Sequence, residues 1–340
     1  MAAKVNIKVL QAREGDCIFI TISDDDKSYI IMVDSGVKST YQYKDKGNRI
    51  CNGPLKDEID ELRKNQRFID LVILTHVDDD HIGGIIEWIA KDEKALEMMN
   101  NIWLNNGEII IPDYSSLLHT IPKGRDLDGL LRSANKNIEN QIVSGKVFNI
   151  PFGQIKILSP TMVTHNAIAE KWNGKVLNKI PTDYKKPISC FLAYAFDEKD
   201  SSKTNNSSIS FLLEVDNRKD LFLGDADIVD VCSALEELGY NKDHPLQCKT
   251  VKLSHHGSRN NFSNHFLDIV KSEVFIFSSN GNYHGHPDKE VFSQIIDKTK
   301  SKVYFNYNNI AEKIINKQDL EDYPDILNRI LSDLNGSILR

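Results

Sequence analysis

Two histidines and three aspartates fall within six positions, directly behind a short apolar run. Leu71-Val72-Ile73-Leu74 leads into Thr75-His76-Val77-Asp78-Asp79-Asp80-His81-Ile82-Gly83-Gly84. The segment Ile69 to Leu74, interrupted only by Asp70, predicts a strand buried on both faces, as in the middle of a sheet covered by helices. Ile85 to Lys91 predicts the helix that follows. A loop between them can turn His76, Asp78, Asp80 and His81 toward one point, with Gly83-Gly84 letting the backbone bend. Imidazole and carboxylate together suit Zn²⁺, Mn²⁺ or Fe²⁺. The competing reading is an acidic, solvated turn with two incidental histidines.

Three further strand-like segments end in the same residue types. Leu221-Phe222-Leu223 runs into Gly224-Asp225, and Thr250-Val251-Lys252-Leu253 into Ser254-His255-His256-Gly257-Ser258. Val274 to Phe277 leads to Ser278-Ser279-Asn280-Gly281-Asn282-Tyr283-His284-Gly285-His286-Pro287. Strand ends are where a rigid scaffold hands side chains to free loops, so these segments are expected to converge. If His255 ends its strand pointing inward, strand alternation sends His256 elsewhere, which favours His255 as the ligand. Either of the two remains open. Asp227, just before an apolar periodic run, is expected to cap a helix.

The rest of the pattern alternates in blocks. Val5 to Leu10, Cys17 to Ile22 and Tyr29 to Val33 read as successive strands, and Lys56 to Gln66 as a helix. After a polar loop at Asp197 to Ser207, strands return at Ile209 to Val215, Asp220 to Leu223 and Val303 to Phe305. Helical spacing occupies Ile228 to Leu238, Phe266 to Lys271, Lys289 to Lys298 and Leu320 to Leu334. There is no fixed-period repeat and no flexible linker. The fold class expected is α/β (α+β): an αββα sandwich of two mixed β-sheets flanked by helices. The domain expected is 1–310, with 311–340 a C-terminal helical extension packed on it.

Composition limits the functions available. The chain has 340 residues, of which 40% are hydrophobic and 27% charged, ordinary values for a globular protein. No stretch approaches the roughly 18 consecutive apolar residues of a membrane helix. The first residues lack a secretory hydrophobic core, so a cytoplasmic location and no membrane partner are expected. Five dispersed cysteines without a C-x-x-C pair suggest free thiols. A net charge of −7 argues against a broad basic surface gripping duplex DNA, although bound divalent ions can reverse the field inside a cleft.

The motif set resembles the metallo-β-lactamase superfamily, and more narrowly the β-lactamase-like domain of the ComEC-like branch, named for the competence protein of DNA uptake. The superfamily's H-x-H-x-D-H pattern stands here as His76-x-Asp78-x-Asp80-His81, with Asp for the second His as in that branch. The remaining counterparts are Gly15-Asp16, Val33-Asp34-Ser35-Gly36, Asn206-Ser207-Ser208, Gly224-Asp225, His255-His256-Gly257-Ser258 and Gly285-His286-Pro287. They occur in the same order between about residue 5 and about residue 300. The resemblance implies one or two divalent metal ions, Zn or Mn. Asp225 would bridge them, His76 and Asp78 would hold one, and Asp80, His81 and His255 the other. Asn205-Asn206 stands where many relatives carry another ligand His, and Tyr283 is displaced by one position.

On this reading Asp34 and Asn206 orient ligands, while Asp80, His256 and His286 move protons or donate hydrogen bonds during the reaction. Lys252, Ser258, Arg259 and His284 are the candidates to meet substrate. The expected activity is hydrolysis, foremost of phosphodiesters in DNA or RNA. The alternatives are a small phosphodiester, such as a phosphocholine ester or a cyclic nucleotide, and a metal-bearing effector subunit acting with partner proteins of a defence module.

Overall fold

The computed structural model describes residues 2–105, 121–134, 136–165, 183–196, 205–282, 285–332 and 338–339. The chain opens with three antiparallel strands, β1 (Lys4–Val9), β2 (Ile18–Ser23) and β3 (Ser28–Val33). In β1, Val5, Ile7 and Val9 are buried and the residues between them are not, the period of two that sets one face inward. A ribbon of β4 (Gln42–Lys44) and β5 (Ile50–Asn52) precedes helix α1 (Pro54–Lys64). Strand β6 (Ile69–Leu74) is buried everywhere except Asp70. Helix α2 (Asp79–Lys91) follows it, then β7 (Met99–Leu104), and β6 lies parallel to both β3 and β7. Helix α3 (Ile121–Ser133) leads to β8 (Asn137–Glu139).

The second half begins with β9 (Val147–Ile150), β10 (Gly153–Ser159), β11 (Ser210–Val215) and β12 (Arg218–Phe222), antiparallel in turn. Helix α4 (Ile228–Glu237) crosses to β13 (Leu246–Lys252), and α5 (Asn264–Ile269) to β14 (Val270–Phe277). Helix α6 (Lys289–Lys298) then crosses to β15 (Lys302–Phe305). Strands β12 to β15 run parallel. Helices α7 (Asn308–Ile314), α8 (Lys317–Asp322) and α9 (Ile326–Arg329) are followed by β16 (Ile330–Ser332) and β17 (Ile338–Leu339).

Among the described residues these strands make two mixed sheets, ordered β17-β1-β2-β3-β6-β7-β8 and β16-β15-β14-β13-β12-β11-β10-β9. Val5, Ile7, Ile20 and Ile73 from the first sheet meet Ile155, Phe211, Leu213 and Ile276 from the second in the central core. The outer face of the first sheet is covered by Ile59, Ile82, Ile85 and Trp88 of α1 and α2. Ile228, Val231, Phe266 and Phe292 of α4, α5 and α6 cover the second. The fold is therefore the αββα sandwich that the alternating pattern predicts. Each large apolar side chain fully buried in these layers contributes about 1.5–3 kcal/mol before the entropy of ordering is set against it. Among the described residues no helix is long and apolar enough to cross a membrane.

Two local expectations change. Helix α2 starts at Asp79, six residues before the predicted start, with Asp78 at its N-cap. Acidic residues in a first helical turn face the positive end of the helix dipole, so Asp79 and Asp80 favour the helix they were expected to precede. Gly83 and Gly84 thus sit inside the helix and permit close packing instead of a bend. A Cβ on Gly84 would stand 2.0 Å from the Ser35 carbonyl oxygen, and one on Gly83 2.7 Å from the Lys38 amide nitrogen. At the other end, the helix expected over Leu320 to Leu334 is broken. Pro324 cannot continue α8, and the chain resumes as the short α9 and the strand β16. β16 and β17 then extend one sheet each, β16 beside β15 and β17 beside β1.

Candidate metal centre

Each functional side chain is delivered by the end of a strand. Thr75 and His76 leave β6, and the first turn of α2 brings Asp80 and His81 back over the same spot. Gly224 follows β12 with φ +52, and a Cβ there would lie 2.4 Å from Ser208 Oγ. Only glycine turns the chain there without strain, and the turn presents Asp225. Ser208 Oγ accepts the Asp225 amide at 2.9 Å. After β13, His255 and His256 both take left-handed backbone angles, φ 45 and 56. Strand alternation has ended at this point, since β13 stops at Lys252, and neither histidine is forced to point away. Both rings turn toward Asp225.

Asp225 is the hub. Its Oδ2 lies 3.4 Å from His81 Nε2, 3.6 Å from His255 Nε2 and 3.9 Å from His76 Nε2. Its Oδ1 lies 3.9 Å from His256 Nε2. Asp80 faces His256 Nε2 at 3.5 Å and His81 Nε2 at 3.9 Å, and Asp78 faces His76 Nε2 at 3.6 Å. These contacts gather into one group of Asp80, His81, His256 and Asp225, with His76, Asp78 and His255 around the remaining side of Asp225. The sequence reading put His255 beside Asp80; the structure puts His256 there.

The outer nitrogens fix the rings. His81 Nδ1 lies 2.8 Å from Asp34 Oδ2, and Thr75 donates to the same carboxylate through N (2.8 Å) and Oγ1 (2.7 Å). His76 Nδ1 lies 3.1 Å from Thr75 Oγ1, whose own proton goes to Asp34. His255 Nδ1 lies 3.0 Å from Asn261 Oδ1 and 3.1 Å from Asn205 Nδ2. Asn261 Nδ2 donates to the carbonyls of Asp225 and Ala226 at 3.2 and 3.3 Å, so its oxygen is the atom left to accept from His255. His256 Nδ1 stands 3.4 Å from Asp16 Oδ1. The Nδ1 atoms of His76, His81 and His255 each face an oxygen able to accept a proton, an arrangement that in the neutral ring turns the Nε2 lone pair inward.

Asp16 was not singled out from the sequence as a site residue, although it stands in the Gly15-Asp16 pair. One atom each of Asp16, His81, Asp225 and His256 lies within 4.8 Å of the other three. Asp16 is already held by the Lys252 ammonium and by Ser278 Oγ at 2.5 Å. A carboxylate so engaged steadies His256 from behind. Asn261 was also missed, since an asparagine in a loop carries no local sign that its oxygen will meet a histidine.

Charge follows the same geometry. Burial alone would depress His81, but Asp225, Asp34 and Asp80 outweigh it and hold its pKa well above the usual imidazole value. His256 is raised in the same way by Asp16 and Asp225 against burial. Burial would raise Asp80 and Asp225, yet the histidines, His81 foremost, hold both below the ordinary carboxylate range. Asp16 is held low by Lys252 and His256 despite complete burial.

A divalent cation fits this set. Among the described residues, the buried Nε2 atoms of His76, His81 and His256 and Oδ1 of Asp225 have no hydrogen-bond partner. Buried polar atoms left so are costly, about 1–3 kcal/mol each, unless a ligand completes them. Imidazole and carboxylate donors are those of Zn²⁺ and Mn²⁺ sites.

His286 is near the centre, its ring 5.0 Å from that of His255 and its Nδ1 3.4 Å from Asp288. Burial holds its pKa below the usual imidazole value against the pull of Asp288. His256 is enclosed between Asp16, Asp80 and Asp225, which places it among the ligand-type residues and out of reach of a leaving group. Lys252 was expected to meet substrate, but it is 1% exposed and its ammonium is committed to Asp16 and the Gly224 carbonyl. Ser258 is buried and caps the turn at Asn260, and Arg259 pairs with Glu290 at 2.5 Å. These three groups are used internally. His284 and the Asn206 side chain lie outside the described residues. Asp227 caps α4, accepting the Val229 amide at 2.8 Å.

A profile of the Metallo-beta-lactamase superfamily matches residues 11–106, which include β6 and the His76–His81 segment. No curated protein matches the chain. Among solved structures, the metallo-beta-lactamase fold protein YhfI from Bacillus subtilis is 9% identical, with 99% of each chain covered and a TM-score of 0.42. Zn(2+)-bound PqqB from Methylobacterium extorquens is 11% identical, with 98% of this chain and 99% of that one covered and a TM-score of 0.44. A diphosphatase from the PhnP family is 11% identical, with 99% and 98% covered and a TM-score of 0.41. At these identities no substrate carries over.

Proposed function

We propose that this chain is a metal-dependent hydrolase acting on phosphodiester bonds, with nucleic acid as the substrate class. The observation that carries the reading is the convergence of His76, His81, His255 and His256 on Asp225 with their Nε2 atoms facing in, the Nδ1 atoms of His76, His81 and His255 being paired outward. Asp80, His81, His256 and Asp225 would hold one ion, and His76, Asp78, His255 and Asp225 a second. A bound divalent cation supplies Lewis acidity, polarising a phosphoryl oxygen and acidifying water at neutral pH.

The chain's own residues do the rest. Asp80 is 19% exposed in its side chain, so one edge remains open to orient a water and accept its proton. Asp34, Asp16 and Asn261 keep the imidazoles from turning during the reaction. His286 lies beside the centre, where its ring is suited to donating a hydrogen bond to a developing oxyanion. The carboxylates Asp78, Asp80 and Asp225 supply hard oxygen donors, which suit ions that also hold phosphate oxygens.

The test is metal analysis of the purified protein together with cleavage assays on single-stranded DNA, duplex DNA, RNA and bis-p-nitrophenyl phosphate. Metal-dependent cleavage that is lost with Asp80→Ala and His81→Ala supports the reading. Unchanged metal content and turnover in those variants overturn it. Turnover of cyclic nucleotides or phosphocholine esters alone would move the substrate class to small phosphodiesters.

A further inference from the structure

The site lies at the carboxyl ends of the parallel strands β12 and β13, but the opposite ends of neighbouring strands are distinctive too. A groove of about 750 Å³ opens where β14 and β15 begin and α6 ends. Lys249, Lys271, Lys298, Lys300 and Lys302 line it, and Glu273 is the one acidic side chain among its described lining residues. The groove thus carries five positive charges against one negative, a formal +4, while the whole chain is −7 and the remainder therefore −11. Lys249 is paired with Glu273 at 2.5 Å. Lys298, Lys300 and Lys302 form no ion pair with a described residue.

We infer that this groove binds the phosphate backbone of a nucleic acid as a second site, separate from the metal centre. The inference rests on the hydrolase reading only for the use made of such binding; the binding itself stands on the groove. Lys249, Lys271 and Lys302 stand on the neighbouring strands β13, β14 and β15, Lys271 opposite Gln247 and Lys302 opposite Val274, and with Lys298 and Lys300 they place point charges around the groove. The Lys271 ammonium also donates to the Leu267 carbonyl at 2.6 Å. Phosphates are met by such charges without regard to base sequence. No aromatic side chain is among the described lining residues, so bases have nothing to stack on and the backbone is the part engaged. An acidic protein partner is a poorer match, because protein interfaces are depleted in lysine and enriched in the aromatic anchors this groove lacks. The groove and the metal centre lie at opposite ends of strands about seven residues long, roughly 20 Å apart along the strand direction. A nucleotide polymer can occupy both, whereas a small phosphodiester cannot.

The experiment is fluorescence anisotropy of a labelled 30-nucleotide oligo(dT) with the full chain, at salt from 50 to 200 mM. Neutralising about four phosphates of a single strand gives a log–log slope near −2.8, a loss of roughly 50-fold over that range. The Lys300→Glu/Lys302→Glu variant is expected to weaken binding at least 10-fold and to flatten the slope. Its hydrolysis of bis-p-nitrophenyl phosphate should stay at the wild-type rate, since neither lysine belongs to the metal centre. Lys298→Gln/Lys300→Gln, which adds no new charge, should weaken binding less and in the same direction. Wild-type oligonucleotide affinity in both variants overturns the inference, as does tighter binding of polyglutamate than of oligo(dT). Oligonucleotide binding without cleavage of any phosphodiester would remove the hydrolase reading and leave the groove standing. Bis-p-nitrophenyl phosphate hydrolysis without oligonucleotide binding would do the reverse.

Discussion

Replacing Asp34 by Asn changes one atom and tests how the centre is held. Asp34 is fully buried, with φ +54, a backbone angle that Asn tolerates better than most residues. Its carboxylate accepts three hydrogen bonds, from Thr75 N at 2.8 Å, Thr75 Oγ1 at 2.7 Å and His81 Nδ1 at 2.8 Å. An amide has one accepting oxygen. If that oxygen stays with Thr75 N, the new NH₂ faces His81 Nδ1, and the imidazole proton must move to Nε2, where it blocks the inward lone pair. If the amide turns over, its NH₂ meets the Thr75 amide and leaves a buried donor unsatisfied, at about 1–3 kcal/mol. Either arrangement weakens the cation's hold. Loss of such an outer partner typically lowers metal affinity by about 10–100-fold, or roughly 1.4–2.7 kcal/mol at about 1.36 kcal/mol per decade. Competition with a chromogenic zinc chelator measures the affinity, and circular dichroism melts with the metal removed measure the fold's own loss, expected at about 1–3 kcal/mol. Wild-type zinc affinity in Asp34→Asn would refute the claim that Asp34 sets the His81 tautomer.

Further outcomes follow from other parts of the structure. Lys289 and Asp319 form a buried pair at 2.6 Å, and Asp319 also accepts the Ile188 and Asn316 amides, so Asp319→Ala should cost about 3–5 kcal/mol in urea unfolding; a loss under 1 kcal/mol would count against it. Gly84→Ala drives a Cβ into the Ser35 carbonyl and should cost more than the usual 1–3 kcal/mol of an overpacked core. Gly129→Ala, with nothing within 4 Å on helix α3, should instead stabilise by about 0.5–1 kcal/mol; equal melting shifts would undo the distinction. Stripping the protein with a chelator should lower its melting temperature, and zinc at 100 times its dissociation constant should restore about 2.7 kcal/mol, whereas a melt indifferent to both would speak against a bound ion.

Much of the centre was legible because it depends on local order along the chain. His76, Asp78, Asp80 and His81 lie on one strand-to-helix junction, and Asp225, His255 and His256 sit immediately after apolar runs, so residue type and position alone marked them. The sandwich was legible for the same reason, since strand and helix periods are properties of neighbouring residues. Capping at Asp227 was of this kind as well.

What the tertiary structure decided is how distant residues complete one another. Asp16 meets Lys252 across 236 positions and Ser278 across 262, and no short-range pattern predicts either. That pairing turned Lys252 from a candidate for substrate into an internal counter-charge. The left-handed turn at His255 and His256 made both face Asp225, a matter of backbone angle that strand alternation could not foresee. Asn261 became the acceptor for His255 only because two carbonyls claim its amide nitrogen. Residue identity in the sequence sets which chemistry is available, whereas hydrogen-bond partners and desolvation exist only once the layers have packed. Those partners determine which nitrogen faces the centre and which charges remain for a ligand.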